Sequence, residues 1–485
     1  MRWTVEEVAR ALGVTAPGGV DPVARLAGVS INSRTVADGQ LFVAIHGPRH
    51  DGHNYVVVAL DAGALAAVVA ADRVSGYTEP YRSKLLAVPE TLGALQELAR
   101  AVRIRWGRRL AAVTGSAGKT TTKEILAALL AARFRVLKSE GNLNNEYGLP
   151  LQLLRLEETD EAAVVELGMS HAGELRRLAE IARPDVGVVT RVAAVHLEFF
   201  ASVDEIALAK RELIEGLAGR ESVAVLNADD PRVARFAQVA PGRVLTYGIA
   251  ERADFRAEKI VDRGLNGSEF DFVAPAGRAR LRLPLAGQHN VANALAALAA
   301  ASVWSVGAAE AQEVFPKLAA TGMRGRVLHY DAGFTVINDC YNSNPVALGA
   351  MIELLIHTPA SGRHILAAGE MLELGATSAE LHREAGRAAA ATGKLAWIIG
   401  VRGAAESFVR GAIAAGQPAE RTKFFASSEE AGDFLANLIQ AGDLLLVKGS
   451  RGVKMERVVE ALDSRFARAH AETASAVSGA PKERG

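Results

Sequence analysis

A chain of 485 residues is too long for one hydrophobic core, so three domains are expected. Its 55 basic and 55 acidic residues balance, which excludes a global field that would attract nucleic acid or an anionic membrane. The single cysteine, Cys340, excludes an internal disulfide and is typical of a reducing compartment. The N-terminus lacks a signal peptide's apolar segment. We therefore expect a cytoplasmic monomer without membrane insertion.

The predicted elements indicate an α/β protein with a small first domain. Residues 1–85 mix short predicted strands, such as QLFVAIHG, with turn clusters such as GPRHDGHNY. From Arg109 onward, apolar strands alternate with helices, which predicts a mostly parallel sheet covered on both faces. Near Gly277 the segment GRARLRLPLAG has a period of two and predicts an antiparallel strand at the sheet edge. We assign residues 86–325 to this central domain.

The last part of the chain predicts a third, separate domain. The strands FTVIND, RHILAAGE, LAWIIG and DLLLVKG are separated by helices, which is typical of a Rossmann-like fold over residues 326–466. Residues 467–485 are small and polar and predict a disordered tail.

A glycine turn between a predicted strand and helix in AAVTGSAGKTTTKE indicates a phosphate site. Free N–H groups and the helix dipole at such a turn suit a polyphosphate. Lys119 would pair with the terminal phosphates, and the Thr120 hydroxyl would bind Mg²⁺. Val113 stands where the full phosphate loop has its first glycine, so an ordinary strand-to-helix turn is the alternative. The predicted nucleotide contacts are Gly115, Ser116, Ala117, Gly118, Lys119, Thr120 and Thr121.

Two polar side chains downstream are ambiguous by themselves. Glu166 ends an apolar strand beside the expected loop, where a carboxylate could hold Mg²⁺ or could simply be solvated. His196, in RVAAVHLEFF, fits either a functional histidine or a core histidine with a satisfied hydrogen bond.

Lys210 lies on the apolar face of a predicted helix. Ser202 and Glu205 have the spacing of a capping box, which sets the helix register. Lys210 then follows Ile206 by four residues and precedes Leu213 by three. A buried lysine would have a lowered pKa and a nucleophilic amine, whereas a snorkelling lysine would reach solvent. Periodicity leaves both readings open.

Several polar residues follow other predicted strands or begin helices. Asn290 and Asn293 could contact a base edge or cap a helix, and Asp339 ends a strand where an acid can bind a ribose. Asn344 before Pro345 is most simply a helix cap. A basic turn that suits a carboxylate or phosphate contains Lys448, Ser450 and Arg451.

Together these motifs, in this order, resemble the Mur ligases, the ATP-dependent amide-forming enzymes of peptidoglycan precursor synthesis. The resemblance runs from about Ser30 to Phe466. This family has a short phosphate loop, T-G-x-x-G-K-T-T, so Val113 is not a defect. By resemblance, Glu166 and His196 bind metal and Lys210 carries a carbamate formed from CO₂.

The resemblance also implies nucleotide and substrate contacts. The GQHNVANALAA segment resembles an adenine-contacting stretch, and Arg324 and Asp339 match ribose-side and interdomain positions. In the first domain Asn32 stands where the family more often has aspartate. Implied substrate contacts are Ser33, Arg34, Asn142, Asn144, Asn145, Asn344, Lys448, Ser450 and Arg451.

Four segments resemble the family members that add D-alanyl-D-alanine to UDP-N-acetylmuramoyl-tripeptide: EGNLNNEYGLP, NDCYNSNP, GEMLELG and VKGSRGVKME. The implied reaction phosphorylates the tripeptide carboxylate with ATP, and the dipeptide amine then displaces phosphate. Two Mg²⁺ ions are implied, one at Thr120 and Glu166 and one at His196 and the Lys210 carbamate. Such an enzyme would support cell-wall growth, cell shape and cell division.

Two other readings predict different features. Another Mur-type or folylpolyglutamate-like ligase would share the central domain but differ at both ends of the chain. A P-loop kinase or nucleotide-switch protein would have a full GxxxxGK[ST] loop and no carbamylated lysine.

Overall fold

The structure, a computed structural model, describes residues 3–47, 50–320 and 322–469. The chain divides into two compact units between Ala319 and Ala320. The first unit contains two β-sheets and the second contains one. The sequence-based boundaries at 85/86 and 325/326 stay predictions.

The first sheet has four parallel strands in the order β1-β2-β3-β4. Leu41, Phe42, Val68 and Leu86 are buried on its two faces. The strands are β1 (Gly28–Ser30), β2 (Gln40–Val43), β3 (Ala66–Ala70) and β4 (Leu85–Val88), and the helices are α1 (Val5–Ala11) and α2 (Val56–Asp61).

Helix α3 (Thr91–Trp106) follows the first sheet. The Glu90 carboxylate caps its start by accepting hydrogen bonds from the N–H groups of Leu92 and Gly93. Gly107 ends the helix at φ 61°, a left-handed conformation that favours glycine. The predicted linking helix is therefore present.

The central sheet has nine strands in the order β13-β12-β11-β10-β9-β8-β5-β7-β6. Strands β5 to β11 pair in parallel, whereas β12 and β13 add antiparallel strands at one edge. The predicted parallel sheet with an antiparallel edge is confirmed. Its strands are β5 (Arg109–Thr114), β6 (Val136–Lys138), β7 (Ala162–Glu166), β8 (Val186–Val189), β9 (Val223–Asn227), β10 (Arg243–Gly248), β11 (Phe255–Asp262), β12 (Ser268–Ala274) and β13 (Gly277–Leu283).

Seven helices belong to this part of the chain. They are α4 (Lys119–Ala131), α5 (Gly148–Leu153), α6 (Glu174–Ala182), α7 (Val203–Glu215), α8 (Pro231–Ala234), α9 (Gln288–Ser302) and α10 (Ala308–Val314). In the register of the sheet, Val113 of β5 lies opposite Glu166 of β7, and Thr114 lies opposite Val189 of β8. The carboxyl ends of these three strands therefore meet at one edge, where open α/β sheets bind ligands.

The second unit has a six-stranded sheet in the order β14-β15-β19-β16-β17-β18, with only the β14 edge antiparallel. The strands are β14 (Arg326–His329), β15 (Thr335–Asp339), β16 (His364–Gly369), β17 (Leu395–Val401), β18 (Thr422–Phe425) and β19 (Leu444–Lys448). The helices are α11 (Pro345–His357), α12 (Ser378–Ala391), α13 (Ala405–Ala414), α14 (Ser428–Leu438) and α15 (Glu456–Arg465).

The end of the described chain pairs with strand β14. The N–H of Ala469 donates to the His329 carbonyl at 2.9 Å, and the N–H of Asp331 donates to the Ala467 carbonyl at 3.1 Å. The rest of the predicted tail, residues 470–485, lies outside the described residues. Within the described part of the chain, no helix is long and apolar enough to cross a membrane.

Candidate active site

The turn between β5 and α4 can be built only with its two glycines. Gly118 has φ 85°, and a β-carbon there would lie 2.3 Å from Asn293 Oδ1. Gly115 has φ 146°, and a β-carbon there would lie 1.8 Å from Thr190 Oγ1. The loop consequently keeps its backbone close to its neighbours and starts helix α4 at Lys119, as a phosphate-binding turn requires.

The phosphate loop is fastened to the loop that follows β8. The Ser116 N–H donates to the Arg191 carbonyl at 2.7 Å, and the Ser116 hydroxyl accepts from the Ala193 N–H at 2.9 Å. The Thr190 hydroxyl donates to the Ala117 carbonyl at 2.6 Å. Asp230 accepts from the Val192 N–H at 2.8 Å. The Ser116 hydroxyl and its backbone N–H therefore both bond to the loop after β8 in this structure.

Thr120 and Glu166 meet at the end of the phosphate loop. The Thr120 hydroxyl donates to Glu166 Oε2 at 2.6 Å, and Asn144 Nδ2 donates to Glu166 Oε1 at 2.9 Å. Lys119 Nζ donates to the Gly115 carbonyl at 2.8 Å. Asn144, expected from the sequence to contact substrate, instead orients the Glu166 carboxylate in this structure.

The oxygen atoms of Thr120 and Glu166 fit a magnesium ion. Mg²⁺ prefers oxygen ligands and usually keeps several waters, so one carboxylate and one hydroxyl suffice when a nucleotide supplies phosphate oxygens. No group of three or more His, Cys, Asp or Glu side chains that could hold a metal ion occurs among the described residues.

Lys210 is buried in helix α7 with an exposed fraction of 2%. The Ser202 hydroxyl accepts from the Glu205 N–H at 3.2 Å and caps the helix, as the sequence predicted. The Lys210 amine has no hydrogen bond or salt bridge to the residues that the structure describes. Burial lowers the pKa of Lys210 well below its usual value, and the positive charge of Lys119 lowers it further. The structure thus decides for burial over snorkelling.

His196 lies in the loop after β8, three residues beyond Ala193. Its φ of 56° is uncommon for a residue with a β-carbon, and its carbonyl accepts from the Phe199 N–H at 2.9 Å. Because Ala193 bonds to Ser116, the loop that carries His196 is fastened to the phosphate loop. The role of His196 as a metal ligand stays a prediction.

The amides at the start of α9 bond within the protein. Asn290 Nδ2 donates to the Ala286 carbonyl at 2.8 Å, and Asn293 Nδ2 donates to Asn290 Oδ1 at 3.0 Å. Asn293 Oδ1 also packs against Gly118. These bonds support the start of the helix, and contact of the two amides with a base edge stays a prediction.

Two further asparagines and the first-domain pair lie in turns. Asn145 Oδ1 accepts from the Gly148 N–H at 2.9 Å, and the Asn142 carbonyl accepts from the Asn144 N–H at 2.9 Å. Asn32 Oδ1 accepts from the Arg34 N–H at 3.0 Å, which forms a turn with Arg34 exposed and Ser33 partly exposed. Arg34 and Ser33 therefore stay accessible to a ligand.

The second unit pairs Lys448 with Asp339. The register of β15 and β19 sets these residues side by side, and Lys448 Nζ lies 2.5 Å from Asp339 Oδ2. Lys448 Nζ also donates to the Asn342 carbonyl at 2.8 Å, and its side chain is 3% exposed. Lys448 therefore holds the Asp339 carboxylate in this structure, and its contact with a substrate stays a prediction.

The neighbouring turn residues divide into internal and exposed groups. The Ser450 hydroxyl accepts from the Leu372 N–H at 2.9 Å, so this predicted substrate contact is also internal. Asn344 Oδ1 accepts from the Ala347 N–H at 2.9 Å and caps α11, as the sequence indicated. Arg451 is exposed and pairs with Glu456 at 2.6 Å. The Arg324 guanidinium stacks on a tyrosine ring, 3.9 Å from its centroid.

Sequence reasoning missed the buried side chains that support the site residues. Lys123 and Ser139 are buried near Glu166, and Tyr247 donates its buried hydroxyl to the Thr190 carbonyl at 3.0 Å. The signal for Lys123 was present, because it precedes Leu126 by three residues and Leu130 by seven on one helix face. The partners of Ser139 and Tyr247 are distant in sequence and left no such pattern.

Comparison with known proteins identifies the family of this chain. Three family descriptions match in order: "Mur ligase family, catalytic domain" at residues 25–103, "Mur ligase middle domain" at 113–301, and "Mur ligase, glutamate ligase domain" at 323–451. A protein of Escherichia coli is 36% identical over 441 residues, covering 90% of this chain and 93% of the relative. The chain belongs to the Mur ligase family.

That Escherichia coli relative is named UDP-N-acetylmuramoyl-tripeptide–D-alanyl-D-alanine ligase. A Bacillus subtilis protein of the same name is 34% identical over 443 residues, covering 90% of this chain and 93% of the relative. Crystal structure I of MurF from Acinetobacter baumannii superposes with a TM-score of 0.86 at 29% identity, covering 96% of this chain and 99% of that one. MurF of Thermotoga maritima, in complex with ADP, has a TM-score of 0.78 at 29% identity and covers 90% and 97%. The resemblance inferred from motifs is confirmed.

Proposed function

We propose that this protein joins D-alanyl-D-alanine to UDP-N-acetylmuramoyl-tripeptide in an ATP-dependent reaction that releases ADP and phosphate. The observation that carries the chemistry is the phosphate loop with Thr120 bonded to Glu166 and the buried amine of Lys210 near Lys119. The choice of substrates rests on relatives that align with nine-tenths of the chain.

The proposed reaction begins with activation of the tripeptide carboxylate. A carboxylate does not react with an amine at neutral pH because its oxygens are poor leaving groups. Attack of a carboxylate oxygen on the γ-phosphorus forms an acyl phosphate and releases ADP. The dipeptide amine then attacks the acyl carbon, forms the amide and expels phosphate, with one proton lost from the amine.

The protein must bring two anions together in the first step. Lys119 and the N–H groups of the phosphate loop neutralise the β- and γ-phosphates, and the loop geometry aligns them. Lys119 leaves the Gly115 carbonyl to do this, since its amine donates to that carbonyl at 2.8 Å without a ligand. Thr120 and Glu166 would hold a magnesium ion there, which would supply further neutralisation of the phosphate charge.

Two magnesium positions follow from the proposed chemistry. Thr120 and Glu166 are suited to hold one ion, and their mutual hydrogen bond at 2.6 Å already sets the two oxygens together. His196 and Lys210 are proposed for the second. The Lys210 amine would add to the carbon of CO₂, form an N–C bond and lose a proton, which yields a carbamate anion. Burial with no counterion among the described residues favours the neutral amine, which is the form that adds to CO₂.

We further propose a division of substrates among the domains. The first, residues 1–85, would hold the uridine nucleotide near Ser33 and Arg34. The central one, residues 86–325, would hold ATP, and the last, residues 326–466, would receive the dipeptide near Asn344 and Arg451. A cytoplasmic location fits an enzyme that consumes ATP and has one buried, unpaired thiol, Cys340.

Phosphate release from ATP tests this function. The purified protein is assayed with UDP-N-acetylmuramoyl-tripeptide and with D-alanyl-D-alanine, D-alanine or L-glutamate as the amine. We expect turnover only with the dipeptide and an amide product of the corresponding mass. Turnover with a single amino acid alone would contradict the substrate assignment and leave the family intact. Tripeptides ending in lysine and in meso-diaminopimelate identify the preferred third residue.

A further inference from the structure

Lys123 lies three residues after Thr120, so both side chains lie on one face of α4. Its side chain is 2% exposed, and its amine donates to the Ser139 carbonyl at 2.6 Å and pairs with Glu124 at 2.9 Å. The amine is thus satisfied inside the protein and cannot contact a substrate.

Ser139 connects this lysine to the Glu166 backbone. The Ser139 hydroxyl accepts from the Glu166 N–H at 3.0 Å, and the Ser139 N–H donates to the Val164 carbonyl at 2.9 Å. Ser139 is therefore held between α4 and the end of β7. It lies directly before the loop that carries Asn144, whose amide orients the other carboxylate oxygen.

These contacts close a ring of four residues. The ring runs from Lys123 to Ser139, then to Glu166, then to Thr120, and returns to Lys123 through one turn of α4. The Thr120 hydroxyl and the Asn144 amide hold the two carboxylate oxygens of Glu166, and the Ser139 hydroxyl holds its backbone N–H, so the side chain keeps one orientation. Loss of a single member frees the others, because their positions depend on each other.

We propose that Lys123 is a positioning residue that sets the Glu166 carboxylate for the magnesium–nucleotide complex. Burying a lysine costs free energy, and apolar residues in place of a buried ion pair often stabilise a protein. Stability alone therefore does not explain why a lysine lies here, which supports a positioning role. A methionine or leucine would fill the same space, but neither could tie α4 to the Ser139 carbonyl. The inference rests on the proposed role of Glu166 in holding magnesium.

The test measures how much magnesium strengthens ADP binding. Calorimetric titration gives the ADP dissociation constant in Mg²⁺ and in EDTA. The dissociation constant in EDTA divided by that in Mg²⁺ reports the metal contribution. We expect Lys123→Met to lower this ratio roughly tenfold while the affinity in EDTA stays unchanged, as for other residues that support a metal ligand. Lys123→Arg should restore most of the ratio, because arginine can still donate to the Ser139 carbonyl.

Lys138→Ala is the matched control. Lys138 pairs with Glu124 at 2.5 Å but lies half-exposed and has no contact with the Ser139 carbonyl or Glu166 in the described structure. Its ratio should equal that of the wild type. Ser139→Ala removes the acceptor for the Glu166 N–H and should act in the same direction as Lys123→Met. If Lys123→Met does not fold, Lys123→Leu takes its place, because Ser139→Ala keeps the backbone carbonyl that Lys123 binds.

Two results overturn the proposal. One is a wild-type ratio in Lys123→Met, or in Lys123→Leu where the first variant does not fold. The other is an equal loss of ADP affinity with and without magnesium, which would indicate a general structural role. Glu166→Gln separates this inference from its premise. If Glu166→Gln keeps the ratio, the magnesium role of Glu166 fails. If Glu166→Gln lowers the ratio but Lys123→Met keeps it, Glu166 retains its role and the inference fails.

Discussion

Two lysines on apolar helix faces have the same burial but different surroundings. Lys123 has a carbonyl and a carboxylate within hydrogen-bonding distance, so its charge is compensated. Lys210 has neither among the described residues, and the charge of Lys119 acts against its protonation. Only the second lysine is therefore suited to react as a neutral amine, and the difference lies in the partners rather than in the degree of burial.

We expect Lys210→Ala to abolish ligation because the proposed carbamate can form only on this amine. Raised bicarbonate should not restore turnover, since alanine offers no nucleophile. Phosphate release measures the activity, and thermal melting shows whether the variant is folded. Substantial turnover by a folded Lys210→Ala protein would remove Lys210 from the mechanism.

Gly118→Ala should weaken ADP binding by tenfold or more. Its φ of 85° costs an alanine roughly 1 kcal/mol, and the added β-carbon would also meet Asn293 Oδ1 at 2.3 Å and distort the phosphate loop. Gly219→Ala is the control, because Gly219 has the same φ with nothing within 4 Å. That variant should lose about 1 kcal/mol of stability and bind ADP normally. Equal ADP affinity in both variants would contradict the packing argument.

At the level of elements, His382 joins helix α12 to the segment GEMLELG. Its Nε2 accepts from the Met371 N–H at 2.9 Å, so Nδ1 carries the proton and donates to the Ser378 carbonyl at 2.7 Å. The ring is buried with an exposed fraction of 1%. Protonation of Nε2 would replace an acceptor with a donor and break the bond to Met371, which holds the segment after β16.

The stability of the second unit should fall as pH decreases below about 6.5. Burial lowers the pKa of His382 from its ordinary 6.5, although the Ser378 carbonyl and Glu370 oppose this shift. As the pH falls, the His382 ring therefore gains a proton in the unfolded state before it does so in the folded state. Its contribution to the free energy of unfolding is complete above about pH 6.5 and is lost on acidification. In urea unfolding at several pH values, the free energy of unfolding of His382→Gln should depend less on pH than that of the wild type. His357→Gln, at an exposed histidine, is the control and should retain the wild-type slope.

At the level of the whole molecule, each unit contains its own buried core. Strands β5, β7 and β8 with helices α6 and α7 form one such core in the first unit. The sheet of the second unit packs against α14 and α15 in another. Two smaller clusters cover the first sheet. Separate cores indicate that neither unit needs the other to bury its apolar residues.

We expect the fragments 1–319 and 320–469 to fold independently. Each should show a cooperative thermal transition by calorimetry because each retains its complete sheet and core. The first fragment should still bind ADP, since the phosphate loop and Glu166 lie within it, but it should not form the amide. A non-cooperative melt of either fragment would show that its core is incomplete.

Local patterns predicted much of this protein. The glycine turn after β5, the Ser202 cap of α7 and the Asn344 cap of α11 each depend on neighbours within a few residues, so their signals lie in short segments. The antiparallel edge was visible in the alternation around Arg278 to Leu283. Motif order alone indicated the family, and the comparisons confirmed it.

The partners of polar side chains could not be predicted in the same way. Lys448 and Asp339 are 109 residues apart, and only the adjacent parallel strands β15 and β19 pair them. Asn144 reaches Glu166 because the chain after β6 returns across the end of β7. Lys448 and Asn144 therefore bond within the protein, because the partners of a side chain depend on neighbours that sequence separation does not reveal.

By itself, the sequence determined the α/β class, the position of the phosphate turn and the candidate carboxylate, histidine and lysine. These follow from hydrophobic periodicity, from turns that require glycine and from helix-capping side chains, and each of these signals lies within a few residues. Only the tertiary structure decided that Lys210 is buried with no counterion among the described residues, that Lys448 pairs with Asp339, and that Lys123 and Glu166 both bond to Ser139. Those outcomes depend on solvent exclusion and on distances between strands, which arise only when the sheet is assembled.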